Sequence, residues 1–330
     1  MYIPLPNGLH CEWALKALAK GKHVLLEKPS VSNAAEAELL FRSPLLTQPN
    51  APVLLEAFHY RFHPAWRHFL SLVDAPNVAH ARSTASVPGF VFPKDDIRFR
   101  YDLAGGTMMD LGTYPMSALR GVFGDVAPEA CLDCAVAPCP PPNERCDASF
   151  SARFRFPNGG VGEAEGDLTA PLWKFAIPRV AVTHKEVRVD DESGLPEGQE
   201  KVRVRKVTLV NFIMPSLWHR IDVEDEWTVR KTDGAREVLK RWQTKQSKKV
   251  YTFREGGGDG DPARPGEEWW LTYRYQLEEF VNRVRGRQGS GAWVGGEDSV
   301  AQMAMIDSAY LKAGLPLRPT TAYVPATQSQ

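Results

Sequence analysis

The sequence predicts an α/β protein in which a partial parallel sheet, over residues 1–57, precedes an α+β domain over residues 58–330. Short apolar runs and helical patterns alternate through the first part in the order strand, helix, strand, helix, strand. This order is typical of half of a doubly wound nucleotide-binding fold. The second part carries longer runs in which apolar and polar residues alternate, and this pattern indicates a large antiparallel sheet.

Three short apolar runs predict the strands of the first part, and they are Tyr2–Leu5, Val24–Leu26 and Val53–Ala57. Residues 9–20 form the first helical pattern, with Asn7 as a candidate N-cap and Gly21 as the C-terminal stop. Residues 34–40 form the second helical pattern. Because ligands bind at the carboxyl ends of parallel strands, polar residues that follow these runs are candidates for a functional site.

The second part is predicted to contain four helices, over residues 63–73, 107–123, 268–285 and 297–312. Alternating runs predict its strands, which are residues 78–87, 150–156, 161–168, 180–189, 202–210, 221–229 and 249–253. Residues 157–160 separate two of these strands and indicate a hairpin. Residues 245–266 are polar and rich in glycine, which predicts a loop, and residues 320–330 are predicted to form a frayed tail.

Charge and composition argue against several classes of protein. Lys plus Arg equals Asp plus Glu at 40 each, and the sequence pI is about 7.1, so neither a nucleic acid nor an anionic membrane surface is an expected partner. No apolar run approaches the roughly 20 residues of a membrane span. The N-terminus lacks the basic and then apolar pattern of a signal peptide. The five cysteines are an odd number, which fits reduced thiols in a cytoplasmic protein.

A zinc cluster is the competing interpretation of four of the cysteines, Cys131, Cys134, Cys139 and Cys146. Two of them, Cys131 and Cys134, fall in a strand-like run, and Cys139 precedes three consecutive prolines. No histidine is near them in the sequence. We therefore expect no metal site.

The stretch Gly21–Pro29 organises the predicted site, because its apolar strand Val24–Leu26 ends in an acid, a base and a proline. A buried parallel strand would place Glu27 and Lys28 at the carboxyl edge of the sheet. Pro29 biases Lys28 toward an extended backbone, so the strand does not continue into a helix. The alternative is a surface turn in which Glu27 and Lys28 form an ordinary ion pair.

Met1–His10 and Gly21–Pro29 together resemble the Gfo/Idh/MocA family of NAD(P)-dependent oxidoreductases. The run Ala104–Pro115, which reads AGGTMMDLGTYP, resembles the second signature of that family. Gly296–Val300 and Gly314–Pro319 resemble its usual ending. The tyrosine form of the second signature is most similar to the branch of dihydrodiol dehydrogenases and NADP-dependent D-xylose dehydrogenases.

The resemblance implies a Rossmann domain that lacks its N-terminal half. The sequence has no Gly-x-Gly-x-x-Gly turn, and no residue after a second strand chooses between NAD and NADP. In the family that turn precedes the position of Met1, so the Tyr2–Leu5 strand is expected to be an apolar sheet edge. A misplaced start codon or a missed exon is one explanation, and a genuinely truncated protein is the other.

Lys28, Asp110 and Tyr114 are the expected catalytic residues. Oxidation of an alcohol by a nicotinamide needs a base for the hydroxyl proton and a positive group nearby. We expect Tyr114 to be the general acid and base, and Lys28 to lower its pKa and to bind the nicotinamide ribose, as the resemblance also implies. Asp110 would orient a sugar hydroxyl or Lys28. The alternative for Tyr114 is a helix tyrosine with a buried ring and a hydrated hydroxyl.

Further contacts are expected from residues around this set. The resemblance places the loop after the first strand beside the nicotinamide, so Asn7 and His10 are candidate cofactor contacts. Asn7 can cap the helix and contact the cofactor at the same time. For His10 the alternative is a surface position on the helix. Glu27 would support the neighbouring lysine or contact the ribose, with simple charge pairing as the alternative. Arg61 and Arg98 are candidate substrate or interdomain contacts, with ordinary salt bridges equally open.

The resemblance implies an NADP-dependent dehydrogenase, with NAD as the second option for the cofactor. D-xylose oxidised at its anomeric carbon to the lactone is the first expected substrate, and a trans-dihydrodiol is the second. A homodimer through the antiparallel sheet is the expected assembly. A catalytically inactive binding or scaffold subunit is the alternative of a different class. The missing glycine-rich turn favours the scaffold, whereas the intact set Lys28, Asp110 and Tyr114 favours the enzyme.

Overall fold

A computed structural model describes residues 1–189, 194–234, 236–257 and 266–323. The first part forms a small parallel sheet of three strands in the order β1-β2-β3. Their bounds are β1, Tyr2–Ile3; β2, Val24–Leu26; and β3, Leu54–Glu56. All three residues of β2 are buried between its two neighbours, whereas Tyr2 at the sheet edge is exposed. The partial α/β sheet predicted from the sequence is confirmed.

Two helices connect these strands, α1 (His10–Ala19) and α2 (Ala34–Phe41). Gly21 has a φ of +65° just beyond α1, as a C-terminal stop requires. The prediction that Asn7 caps α1 is wrong, because Leu9 is the N-cap residue and no side chain caps this helix. The side-chain NH2 of Asn7 instead donates to the carbonyl of Ala104 at 3.1 Å. This bond crosses from the first part of the chain to the second.

The second part is built on a sheet of nine strands. Eight of them follow one path in the order β12-β11-β10-β8-β4-β7-β6-β5, and β9 pairs with β10. The bounds are β4, Val78–Pro88; β5, Ala130–Pro138; β6, Asp147–Arg155; β7, Val161–Ala170; β8, Arg179–His184; β9, Val187–Arg188; β10, Gln199–Val210; β11, Arg220–Lys231; and β12, Val238–Lys248.

The sheet is mixed, which corrects the expectation of a purely antiparallel one. Strands β4 and β7 are parallel, while the other neighbours are antiparallel. The chain leaves β4, passes through two helices and the β5–β6 hairpin, and returns beside β4 in the same direction. Alternation of apolar and polar residues cannot reveal this, because both pairings share a side-chain period of two.

The sequence does not predict strand β12, and the predicted strand at residues 249–253 is wrong, because none of those residues is in a strand. Every residue of β12 except Trp242 is exposed, so its sequence shows no apolar alternation. The predicted loop over residues 245–266 therefore starts later, after Lys248, and its residues 258–265 lie outside the described part of the chain.

Five helices complete the second part, and they are α3, Pro64–Ser71; α4, Thr107–Asp110; α5, Thr113–Val122; α6, Thr272–Val284; and α7, Gly296–Lys312. The single helix predicted over residues 107–123 is instead the pair α4 and α5. Pro115 has no N–H to bond toward α4, so it fits only the first turn of a new helix. At Gly112 a Cβ atom would lie 2.3 Å from the ring of Phe150, so the break is also packed tightly.

The C-terminal helix joins the two parts of the chain. It packs against α2 and α5, and its Asp307 accepts a hydrogen bond from the backbone N–H of Ala34 at 2.8 Å. Asn33 donates to the carbonyl of Arg318 at 2.9 Å. The boundary at residue 57 remains a prediction. Of the predicted tail, residues 320–323 lie outside helices and strands, and residues 324–330 are outside the described residues. None of the described helices has the length and apolar character needed to cross a membrane.

Candidate active site

The candidate site lies where β1 and β2 of the small sheet end and meet the segment before α5. A pocket of about 190 Å³ opens there. Its polar lining residues are Asn7, Glu27, Lys28, Arg98 and Asp110. The carboxyl edge of the sheet and the second signature are therefore together, as the sequence predicts.

Lys28, Asp110 and Arg98 form one charge network in this pocket. The ammonium of Lys28 donates to the carbonyl of Asp110 at 2.6 Å and to its carboxylate at 3.0 Å. Arg98 donates to the other carboxylate oxygen of Asp110 at 2.9 Å. Burial acts to raise the pKa of Asp110, but the two cations hold this pKa below its ordinary value. Asp110 is thus an anion that fixes Lys28, one of the two roles expected of it.

Tyr114 lies directly beside Lys28, but its ring and not its hydroxyl faces the ammonium. Lys28 Nζ is 4.8 Å from the centre of the Tyr114 ring. Burial raises the pKa of Tyr114 well above its ordinary value. The expected lowering by Lys28 is therefore not seen in this structure, because that ammonium is bonded to Asp110 and the phenol is desolvated.

His59 is a site residue that the sequence argument missed. It begins the 3-10 turn His59–Phe62 that follows β3. Its Nε2 is 3.0 Å from the hydroxyl of Tyr114, and its ring stacks on Tyr273 with centroids 4.3 Å apart. A signal was available, because His59 closely follows a parallel strand of the same sheet.

Asn7 and Glu27 line the pocket, whereas His10 does not. Glu27 accepts a hydrogen bond from the hydroxyl of Tyr2 at 2.7 Å. His10 is completely buried, and its two ring nitrogens lie 2.9 Å and 2.7 Å from the carbonyls of Pro29 and Leu5. The structure corrects the expectation of a direct cofactor contact, because both nitrogens of His10 hold the loops after β1 and β2 together.

The other arginine candidate, Arg61, is away from the pocket. It forms ion pairs with Asp298 and with Asp125, the latter at 2.8 Å. Asp298 also pairs with the buried Arg120. This is the salt-bridge alternative for Arg61, and Arg98 is the arginine that the fold brings to the site.

The cysteines do not form a cluster. All five are free thiols, and no group of three or more His, Cys, Asp or Glu side chains among the described residues is arranged to hold a metal ion. Cys131 and Cys134 lie in β5, where burial raises the pKa of Cys131 to about 11 and that of Cys134 to about 12.

The pocket fits the nicotinamide ribose end of a dinucleotide. Lys28 offers an ammonium, Glu27 a carboxylate and Asn7 an amide at the carboxyl edge of a parallel sheet. These groups can bind ribose hydroxyls through charge-assisted hydrogen bonds. The sequence has no Gly-x-Gly-x-x-Gly turn to cradle the diphosphate, so the fit concerns the ribose end alone.

Two family models match the chain in sequence order. Residues 1–43 match the oxidoreductase family with an NAD-binding Rossmann fold. Residues 75–188 match the GFO/IDH/MocA C-terminal domain. The first match contains Lys28, and the second contains Asp110 and Tyr114.

Curated relatives include sugar and diol dehydrogenases. A D-xylose 1-dehydrogenase (NADP(+)) of Haloferax volcanii is 43% identical over 182 residues, which are 53% of this chain and 52% of that protein. A dTDP-3,4-didehydro-2,6-dideoxy-alpha-D-glucose 3-reductase of Actinomadura kijaniata is 37% identical over 37% of this chain and 36% of the relative. A trans-1,2-dihydrobenzene-1,2-diol dehydrogenase of Xenopus tropicalis is 26% identical over 39% of this chain and 38% of the relative. The matched part therefore spans about half or less of these relatives.

Solved structures share the fold over most of the chain. The 3-ketoreductase KijD10 of Actinomadura kijaniata, in complex with NADP and TDP-benzene, aligns with a TM-score of 0.61 at 19% identity. That alignment covers 94% of this chain and 77% of KijD10. An aldose-aldose oxidoreductase of Caulobacter crescentus aligns with a TM-score of 0.62 at 17% identity, over 95% of this chain and 76% of the other. The two models of the Gfo/Idh/MocA oxidoreductases thus match residues 1–43 and 75–188, and the fold brings Lys28, Asp110 and Tyr114 of these matched parts together.

Proposed function

We propose that this protein is an NADP-dependent dehydrogenase that oxidises a sugar hydroxyl, with D-xylose to its lactone as the first candidate reaction and a trans-diol as the second. The observation that carries the proposal is the contact of Lys28 with both Asp110 and Tyr114 at the carboxyl edge of a parallel sheet. The curated relatives of several substrate classes, among them a D-xylose dehydrogenase and a diol dehydrogenase, support the reaction type.

The proposed chemistry divides between the cofactor and the chain. The nicotinamide, when bound, supplies the hydride acceptor. Tyr114 takes the hydroxyl proton at its Oη as the sugar carbon is oxidised, and returns a proton in the reverse direction. Lys28 supplies positive charge beside the reacting oxygen, and Asp110 fixes its position. The raised pKa of Tyr114 means that a bound ligand must draw the ammonium of Lys28 toward the phenol for the tyrosine to act as a base.

The pocket favours a small uncharged substrate. Its volume is about 190 Å³, below the usual range of drug-sized ligand sites, which is about 300–1,000 Å³. The pocket is lined by two cations, Lys28 and Arg98, and by two carboxylates, Glu27 and Asp110, so no excess positive charge is left for a sugar diphosphate. A monosaccharide or a cyclic diol can reach Arg98 and Asp110 through hydroxyl hydrogen bonds, while Asn7, Glu27 and Lys28 hold the ribose.

A titration of the protein with NADPH, followed by tryptophan fluorescence and melting temperature, tests the cofactor. We expect micromolar binding and a raised melting temperature, since a ligand that binds only the native state stabilises it. Replacing Lys28→Gln should weaken binding by about 10- to 100-fold, the range of one charged hydrogen bond. The matched control Lys22→Gln changes an exposed lysine in the turn before β2 and should leave binding unchanged.

Addition of D-xylose or a trans-dihydrodiol to the NADP complex then tests the reaction through NADPH absorbance. Turnover of either substrate supports the proposal. A well-folded protein that binds neither NADPH nor NADH contradicts it.

We also propose that the sheet face opposite α5 binds a second copy of the chain. Residues 171–177 are held on β4 through Ser86, which accepts from the N–H of Ala176 at 3.0 Å. This segment exposes large apolar side chains, with Trp173 at 83% and Leu172 at 68%. A shallow depression of about 550 Å³ beside it is lined mainly by small residues, including Thr84, Ser86, Ala137, Ser149 and Ser151. An apolar projection next to a depression of small residues is self-complementary, as a two-fold interface requires.

Replacing Trp173→Glu should raise the dimer dissociation constant by about 30-fold or more, the effect of an interface hot spot. Sedimentation velocity over a concentration series measures it. Trp269→Glu is the control, because Trp269 is similarly exposed, at 75%, just before α6. A wild-type protein that is monomeric at all concentrations, or a Trp173→Glu variant that dimerises normally, would refute the interface.

A further inference from the structure

His59 is the closest polar neighbour of the proposed acid and base. His59 is 2% exposed. Its Nε2 lies 3.0 Å from the hydroxyl oxygen of Tyr114. Its other nitrogen, Nδ1, is buried and has no hydrogen-bond partner among the described residues. Among the described residues, the contact with Tyr114 is therefore the one hydrogen bond through which this ring can act on the site.

The ring of His59 is neutral at ordinary pH. Burial, and then the nearby Lys28, lower the pKa of His59 to about 3. A neutral imidazole carries one hydrogen, on Nε2 or on Nδ1. With the hydrogen on Nε2, His59 donates to Tyr114 Oη. With the hydrogen on Nδ1, Tyr114 must turn its own hydroxyl hydrogen toward His59.

The surroundings favour the hydrogen on Nε2. A hydrogen on Nδ1 would leave a buried N–H without an acceptor, and orphaned N–H donors are rarer in proteins than under-satisfied acceptors. In this arrangement the hydroxyl hydrogen of Tyr114 does not point at His59.

We propose that His59 is a positioning residue for Tyr114, whose Nε2–H donates to Tyr114 Oη and leaves the hydroxyl hydrogen of Tyr114 free for a substrate oxygen. The inference rests on the role of Tyr114 in the proposed function. When Tyr114 loses its proton, the same N–H donates to the phenolate, and this charge-assisted bond is stronger than the bond to the neutral hydroxyl. His59 itself neither gains nor loses a proton.

Other groups also act on the hydroxyl, and the test must separate them from His59. Burial raises the pKa of Tyr114 most, and the groups that raise it further are Tyr273, Glu27, Asp110 and Tyr60. Lys28 faces the ring of Tyr114. His59→Gln and His59→Phe both remove the imidazole ring from Tyr273 and leave the other groups in place, so the two variants differ chiefly in the donor at position 59.

Nuclear magnetic resonance of the full chain with ¹⁵N-labelled histidine tests the position of the hydrogen directly. Two other histidines give internal standards. Nδ1 of His63 accepts from the N–H of Ala65 at 3.1 Å, so His63 carries its hydrogen on Nε2. Nε2 of His219 accepts from the N–H of Val250 at 2.7 Å, so His219 carries its hydrogen on Nδ1. Long-range ¹H–¹⁵N correlations distinguish the two patterns, and loss of a signal in His59→Gln assigns His59.

We expect His59 to show the His63 pattern, and we expect its Nε2 signal to move in Tyr114→Phe, where the acceptor is lost. The His219 pattern would overturn the proposal. This measurement needs neither cofactor nor substrate, so it decides the inference even if the protein turns over no sugar, an outcome that would instead refute the proposed function.

The effect on catalysis is read from His59→Gln and His59→Phe. The glutamine amide can donate to Tyr114, so His59→Gln should keep turnover within a few fold. His59→Phe has no donor, so its kcat should fall by about 10- to 100-fold, the range of a hydrogen bond to a charged group. In His59→Phe the limb of the kcat–pH profile that reports Tyr114 should also move to higher pH by about one to two units, because the phenolate of Tyr114 loses a hydrogen-bond donor. Equal pH profiles for the two folded variants would overturn the proposal.

Discussion

Replacing Tyr114 with phenylalanine should lower kcat by about 10²- to 10⁴-fold, the contribution that general acid and base catalysis usually makes. The change removes only the hydroxyl oxygen, so the ring remains against Lys28, 4.8 Å from its ammonium. Substrate KM should change little, because the proton transfer is made in the transition state and not on binding. Turnover measured with saturating NADP and sugar gives the result.

Tyr60→Phe is the matched control for this experiment. Tyr60 is buried beside Tyr114, and its hydroxyl donates to Ser117 at 2.9 Å, outside the pocket. Both variants lose one buried hydroxyl and one hydrogen bond, which should cost each of them about 1 kcal/mol of stability. Normal turnover in Tyr114→Phe would show that another group moves the proton. An equal loss in Tyr60→Phe would show that the effect comes from packing.

The parts of the site that the sequence predicts are those whose position depends on local pattern. The run Val24–Leu26 is apolar, short and followed by proline, so its burial and its end could be foreseen. Because parallel strands end at one edge of a sheet, Lys28 could be placed there without knowledge of the rest of the fold. Its distance from Asp110 could not be derived in this way, because 82 residues separate them.

The parts that the sequence does not predict depend on tertiary contacts. Strand β12 is exposed on both faces, and its backbone pairing with β11 leaves no apolar alternation to detect. The pKa of Tyr114 depends on burial by elements far apart in the chain, and the direction inferred from Lys28 alone was the opposite. His59 is a residue that periodicity assigns to a loop, and only the packed fold shows its contact with Tyr114.

Replacing Arg318 with methionine should lower the free energy of unfolding by about 3–5 kcal/mol, the cost of removing one partner of a buried ion pair. Arg318 and Asp147 both have fully buried side chains, and they pair at 2.9 Å. Asp147 also accepts from the hydroxyl of Tyr310 at 3.0 Å and from the N–H of Met108 at 2.7 Å. Without Arg318 the carboxylate of Asp147 is a buried charge with neutral donors alone. Urea unfolding measures the loss.

Arg153→Met is the control, because Arg153 and Asp133 form an ion pair in which both side chains are about half exposed. Its loss should change stability by about 0–1 kcal/mol. The double variant Arg318→Met with Asp147→Asn should be more stable than Arg318→Met alone, since it removes the unpaired charge and keeps an acceptor for Tyr310 and Met108. Equal losses for Arg318→Met and Arg153→Met would show that the buried pair has no special role in stability.

Arg318→Met should also slow catalysis, because the ion pair of Arg318 with Asp147 holds the segment that carries Asp110. Arg318 donates to the carbonyl of Gly105 at 2.6 Å, and Asp147 accepts from Met108 in the first turn of α4. Asp110 is the last residue of that helix and the partner of Lys28. If the folded Arg318→Met protein turns over more slowly at a temperature well below its melting point, the buried pair stabilises the fold and positions the site through one set of contacts. Unchanged kcat in that folded variant would confine its role to stability.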